Sequence, residues 1–155
     1  MKKITHEIFS FGIIFYLLSL LKINLLLNLL ISLLSIWIGI FPDIIDFKIL
    51  KTKDLHRNFL SHSPISPIFI LYILVILIFS LILFSEINQI IVFSFILILP
   101  WIFHLVLDSF NPSGITILFS KKKFKNVNIS YDDSKVNFII CLIGIILIIF
   151  GVLNI

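Results

Sequence analysis

Five long apolar runs limit what this chain can fold into. They cover roughly residues 4–21, 25–41, 65–84, 90–107 and 136–153. Each is close to the ~20 residues that cross ~30 Å of hydrocarbon at ~1.5 Å per residue in a helix. The bilayer core offers no partner to an open strand, whereas a helix satisfies its own backbone. The expected fold class is therefore all-α: a polytopic membrane protein with about five transmembrane helices, forming a single domain over residues 1–155. Lys2 and Lys3 precede the first run as they would in a secretory signal. No A-x-A-like cleavage site follows, so the run is expected to remain as a helix.

Composition agrees with this reading. The chain is 60% hydrophobic and 13% charged, against about 45–50% and 25% in an ordinary soluble domain. These proportions exclude a soluble globular enzyme, a disordered chain and a nucleic-acid binder. The single cysteine, Cys141, excludes a disulfide framework and a thiolate metal cluster.

The connections alternate. Lys22-Ile23-Asn24 and Ser85-Glu86-Ile87-Asn88-Gln89 are short, while those over about 42–64 and 108–135 are long and polar. Eleven of the 12 basic residues fall at the N-terminus or in the two long loops, and Lys22 alone falls on the other side. The positive-inside rule then predicts a multi-pass inner-membrane protein with a cytoplasmic N-terminus, two cytoplasmic loops and an outer C-terminus. On this topology Asn128-Ile129-Ser130 is a glycosylation sequon on the wrong side, and the Lys121–Lys125 run is a cluster facing anionic lipid.

The ionisable groups gather in one layer. His6 opens the first helix, Asp43 and Asp46 close the second, His62 precedes the third, and His104 and Asp108 lie in the last turns of the fourth. All belong to the predicted cytoplasmic end, and Glu86 is the one acid at the other. His104 and Asp108 are four apart and share a helix face; Asp43 and Asp46 do so if the second helix runs on past Pro42. Pro42 can begin a new turn or end that helix, and Pro100 is expected to kink the fourth. Imidazole and carboxylate donors without thiolate suit Zn, Mn, Fe or Mg. Six candidates also allow two ions sharing a carboxylate.

At these residues the sequence resembles the membrane-bound metal-dependent hydrolases, small bacterial and archaeal inner-membrane proteins. The matching pieces are Thr5-His6 with Gly12, then Phe41-Pro42-Asp43-Ile44-Ile45-Asp46, then His56-Arg57-Asn58-Phe59-Leu60-Ser61-His62-Ser63. The last is His104-Leu105-Val106-Leu107-Asp108-Ser109-Phe110-Asn111-Pro112-Ser113-Gly114. Four pieces in order, across about 110 residues, are more specific than any one. The family usually shows Pro-Asp-x-Asp followed by His. Here the second Asp comes one residue later, Phe47 follows it, and the His-Arg…His-Ser segment carries one extra residue.

The resemblance implies a metal-dependent hydrolase. Asp43, His62, His104 and Asp108 are expected to hold one or two divalent ions, zinc foremost, with His6 and Asp46 as further ligands. Arg57 would pair with a phosphate, and His56, with Asp46, would serve in proton transfer. A site at this depth suits an amphiphile such as a phospholipid or lipid phosphate, with membrane lipids as the partners and the oligomeric state left open. The Lys/Arg-Pro, Ser-Gly-His and Arg/His set of metal-free lipid phosphatases is absent. The rivals are a divalent-metal or proton transporter, which needs polar stations deeper in the bilayer, and a structural subunit stapled by a metal.

Overall fold

The computed structural model describes residues 2–46, 62–64, 66–110, 115–116, 123–124, 130 and 133–155. Five helices run in sequence: α1 (Lys3–Leu20), α2 (Leu25–Ile44), α3 (Pro67–Leu83), α4 (Ile87–Ser109) and α5 (Ser134–Asn154). The all-α membrane architecture expected from the apolar runs is therefore present. α1, α2, α4 and α5 are long and apolar enough to cross a membrane. α3, with 17 residues, reaches ~26 Å. The second long connection holds a detail that the pattern did not signal. Ile115–Thr116 (β1) pairs antiparallel with Lys123–Phe124 (β2), Ile115 opposite Phe124.

Local chemistry sets the helix ends. Lys22, at φ 53°, reverses the chain between α1 and α2, and the Asn24 side chain then accepts from Leu26 N at 2.9 Å. Ser66 caps α3 through Phe69 N at 3.0 Å, with Pro67 in the first turn where no N–H is needed. Asp133 caps α5 by accepting from Lys135 N and Val136 N. Pro42 does not end α2. The helix runs on to Ile44, and Ile45–Asp46 continue it as a wider π-type turn. Pro100 likewise lies inside α4 without ending it.

α1 packs on α5 and α2, and α4 is the hub that touches α1, α2 and α3. The α1–α5 contact is close because glycine permits it. A Cβ on Gly12 would strike the Gly144 carbonyl oxygen, and one on Gly144 would lie 2.9 Å from Ile8 O. Polar side chains tie helices across the apolar interior. Thr5 Oγ1 donates to Asn137 Oδ1 at 2.7 Å, Asn28 Nδ2 donates to Phe15 O at 3.2 Å, and Ser94 pairs with Ser80 at 2.8 Å. The apolar core lies among α1–α4, around Leu18, Ile38, Phe69, Leu97, Trp101 and Leu105.

Candidate metal centre

The run-on of α2 brings Asp43 to the end of the bundle where α1 and α3 begin and α4 ends. His62 arrives from the segment preceding α3, and α4 supplies His104 and Asp108 from one face. One donor atom from each of Asp43, His62, His104 and Asp108 lies within 4.8 Å of all the others. The Nε2 atoms of His62 and His104 are 3.1 Å apart. Asp108 Oδ2 is 3.3 Å from His62 Nε2 and 3.4 Å from His104 Nε2, and Asp43 Oδ1 is 3.4 and 3.7 Å from the same two atoms.

The outer edges of the two rings explain why these four electron-rich atoms converge. His104 Nδ1 lies 2.6 Å from Gly39 O. A carbonyl only accepts, so Nδ1 carries the proton and Nε2 presents a lone pair. His62 Nδ1 lies 3.2 Å from Asp46 Oδ2, and the same reasoning gives it the same tautomer. Two imidazole lone pairs and two carboxylates facing inward repel one another unless a cation, whether proton or metal, lies among them. Tetrahedral ligands ~2.0–2.1 Å from an ion stand ~3.3 Å from one another, and these five separations, 3.1–3.7 Å, bracket that spacing. The donor set thus fits a single divalent ion.

Of the six ligands expected from sequence, four form this group and two stand beside it. Asp46 is buried against the far nitrogen of His62. A carboxylate in that place orients the ring and makes it a better donor. His6 stacks on His104 with centroids 4.2 Å apart, and its Nε2 is 3.4 Å from Asp108 Oδ1. Its Nδ1 has no hydrogen-bond partner among the described residues, so Asp108 is the contact its Nε2 makes. Asp108 therefore turns one oxygen to His6 and the other to the pair of histidines. His56 and Arg57 lie outside the described residues. Sequence reasoning did not find the Gly39 carbonyl, because a main-chain acceptor leaves no mark in residue identity. Asp43 is the most open ligand, with 22% of its side chain exposed, while the other three are buried.

Neither a search of curated proteins nor a search of solved structures found a match to this chain. A family model, that of the YdjM inner membrane protein, matches residues 1–154. With four helices long and apolar enough to cross a membrane and nearly the whole length covered, the chain is a multi-pass membrane protein and belongs to the YdjM inner membrane protein family.

Proposed function

We propose that this protein is a metal-dependent hydrolase whose site faces the cytoplasmic leaflet and acts on the phosphate ester of a membrane lipid. The observation that carries the proposal is the convergence of Asp43, His62, His104 and Asp108, with each histidine held from behind. A divalent ion, zinc in the first instance, would polarise a phosphoryl oxygen and lower the pKa of water there to ~7. Gly39 and Asp46 hold the two imidazoles in the tautomer that such binding needs. Asp43, as the most open ligand, marks the side from which substrate approaches. Arg57, five residues before His62, would orient the phosphate through its planar fork, and His56 would move a proton. The cytoplasmic placement rests on the 11-to-1 split of basic residues.

A second reading is favoured by one feature: four protein donors can close a tetrahedral shell and staple α2 to α4 without catalysis. Transport is disfavoured, because the far end of the chain holds no histidine and only Glu86 among the acids.

The test is metal content and phosphate release measured on the same full-length protein in mixed micelles. His104→Ala and Asp108→Ala should each lose bound metal, whereas Glu86→Ala should keep it. Arg57→Lys should keep the metal and lose most phosphate release. A wild-type protein without stoichiometric metal after Zn or Mn addition refutes the site. Full metal content without phosphate release leaves the staple.

A further inference from the structure

His6 is the one histidine among the described residues that the quartet does not use. It is 1% exposed, and its Nδ1 has no hydrogen-bond partner among those residues. The first turn of α1 holds it in place. Thr5 Oγ1 donates to Asn137 Oδ1 of α5 at 2.7 Å, and Lys2 N donates to the same oxygen at 3.0 Å. Buried polar groups are almost always partnered, so an imidazole fixed at the edge of a polar cluster with a nitrogen to spare points to a ligand.

The relation of His6 to Asp108 repeats that of His104. The two rings stack with centroids 4.2 Å apart and planes 29° apart. His6 Nε2 lies 3.4 Å from Asp108 Oδ1, and His104 Nε2 lies 3.4 Å from Asp108 Oδ2. One carboxylate thus offers each of its oxygens to one of two near-parallel rings, at the same distance. Both contacts are longer than the ~2.7–3.2 Å of an N–H···O bond. Both are close to the ~3.3 Å that separates two donors around a tetrahedral ion. Paired ions in two-metal sites stand ~3.5–4 Å apart, which is near the spacing of the two rings.

The two positions differ in what the protein supplies. The quartet gives four donors, and Gly39 and Asp46 hold its imidazoles from behind. The position beside it has two donors among the described residues, His6 Nε2 and Asp108 Oδ1. An ion held by two protein donors binds more weakly and keeps coordination positions open. Imidazole with carboxylate suits Zn and Mn, and ions held by few protein donors complete their shells with water and substrate phosphate. A shell closed by four protein donors leaves no such room, whereas a neighbour sharing Asp108 does.

We propose that His6 Nε2 and Asp108 Oδ1 form a second divalent-cation site, bridged to the quartet through the Asp108 carboxylate and completed by oxygens of a phosphate group. The bridged pair rests on donor geometry. The phosphate rests on the reading of the cluster as a phosphate-ester site, and it assigns the substrate to the weaker, open ion.

The probe is Mn(II), titrated into metal-free, full-length protein in mixed micelles. Bound metal is counted by equilibrium dialysis, and the ions are read by electron paramagnetic resonance. Wild type should bind two Mn per chain, in a tight and then a weak step. The weak step should replace the sextet of an isolated Mn with the broad multiline signal of a coupled pair. His6→Ala should lose one Mn per chain and the coupled signal, and it should keep the tight step. If that variant fails to fold, the wild-type titration still decides: one Mn per chain at saturation, with no coupled signal, overturns the second site. One Mn in wild type that His6→Ala weakens would make His6 an outer partner of Asp108, and the second site falls. Inorganic phosphate and phosphatidic acid should each tighten the weak step. Tightening by phosphatidic acid alone assigns the open positions to a lipid headgroup, and tightening by neither refutes the phosphate. Two coupled ions without hydrolysis of any phosphate ester would keep the site and refute the enzyme. Hydrolysis with a single ion would do the reverse.

Discussion

Replacing Asp46 separates a residue that holds metal from one that holds a ligand. Asp46 is 1% exposed, and its Oδ2 lies 3.2 Å from Nδ1 of His62, on the edge of the ring away from the cluster. Loss of such a carboxylate partner typically weakens metal binding by ~10–100-fold. A separation of 3.2 Å is at the long end for N–H···O, which places the loss for Asp46→Ala nearer tenfold, about 1.4 kcal/mol. Asp46→Asn keeps an acceptor oxygen but not the charge, so its loss should be smaller, on the order of threefold, because neutral hydrogen bonds have about half the strength of charge-assisted ones. His104→Ala removes a donor from the cluster itself and should exceed both. Competition against a chromophoric zinc chelator, on protein whose elution profile matches wild type, gives all three affinities. If Asp46→Ala proves as damaging as His104→Ala, with Asp46→Asn no better, Asp46 is itself a ligand. If Asp46→Ala changes nothing, the tautomer argument for His62 is wrong.

Two further predictions concern the frame around the site. Gly12→Ala drives a Cβ into the Gly144 backbone, which can move only with its helix, whereas Gly151→Ala meets a side chain, the Phe15 ring, with the nearest backbone atom at 3.4 Å. Thermal unfolding in micelles should show a loss of about 1–3 kcal/mol for the first and clearly less for the second; the reverse order would refute the close contact of α1 with α5. Cysteine labelling from outside the cell should reach Asn154→Cys but not Lys53→Cys or Lys123→Cys, and the opposite result would move the site to the outer face.

The spans and the polar layer were legible because they depend on residue type at coarse spacing. Long apolar runs, and His and Asp gathered at alternate ends of those runs, survive any uncertainty about side-chain direction. The division of labour within the layer was not legible. Asp43 and Asp46 look equivalent in sequence, yet the turn after Ile44 sets them against opposite nitrogens of His62. Nor does a sequence show that a main-chain oxygen, that of Gly39, fixes His104. Short loops announced the α1–α2 and α3–α4 neighbours. The α1–α5 pairing had only a faint trace, Gly144 and Gly151 seven residues apart on one helix face, and that trace names no partner.

The pairing of the first helix with the last also has a consequence in time. Asp43, His62, His104 and Asp108 are all synthesised before any residue of α5. The face of α1 that carries Thr5 and Gly12 meets its partners, Asn137 and Gly144, only when α5 emerges. At ~5–20 residues per second the remaining stretch to Asn154 takes ~2–9 s. Throughout that interval the helix bearing His6 stays unfastened from α5. α1 therefore settles late, and the 21-residue α5 completes the packing around the site.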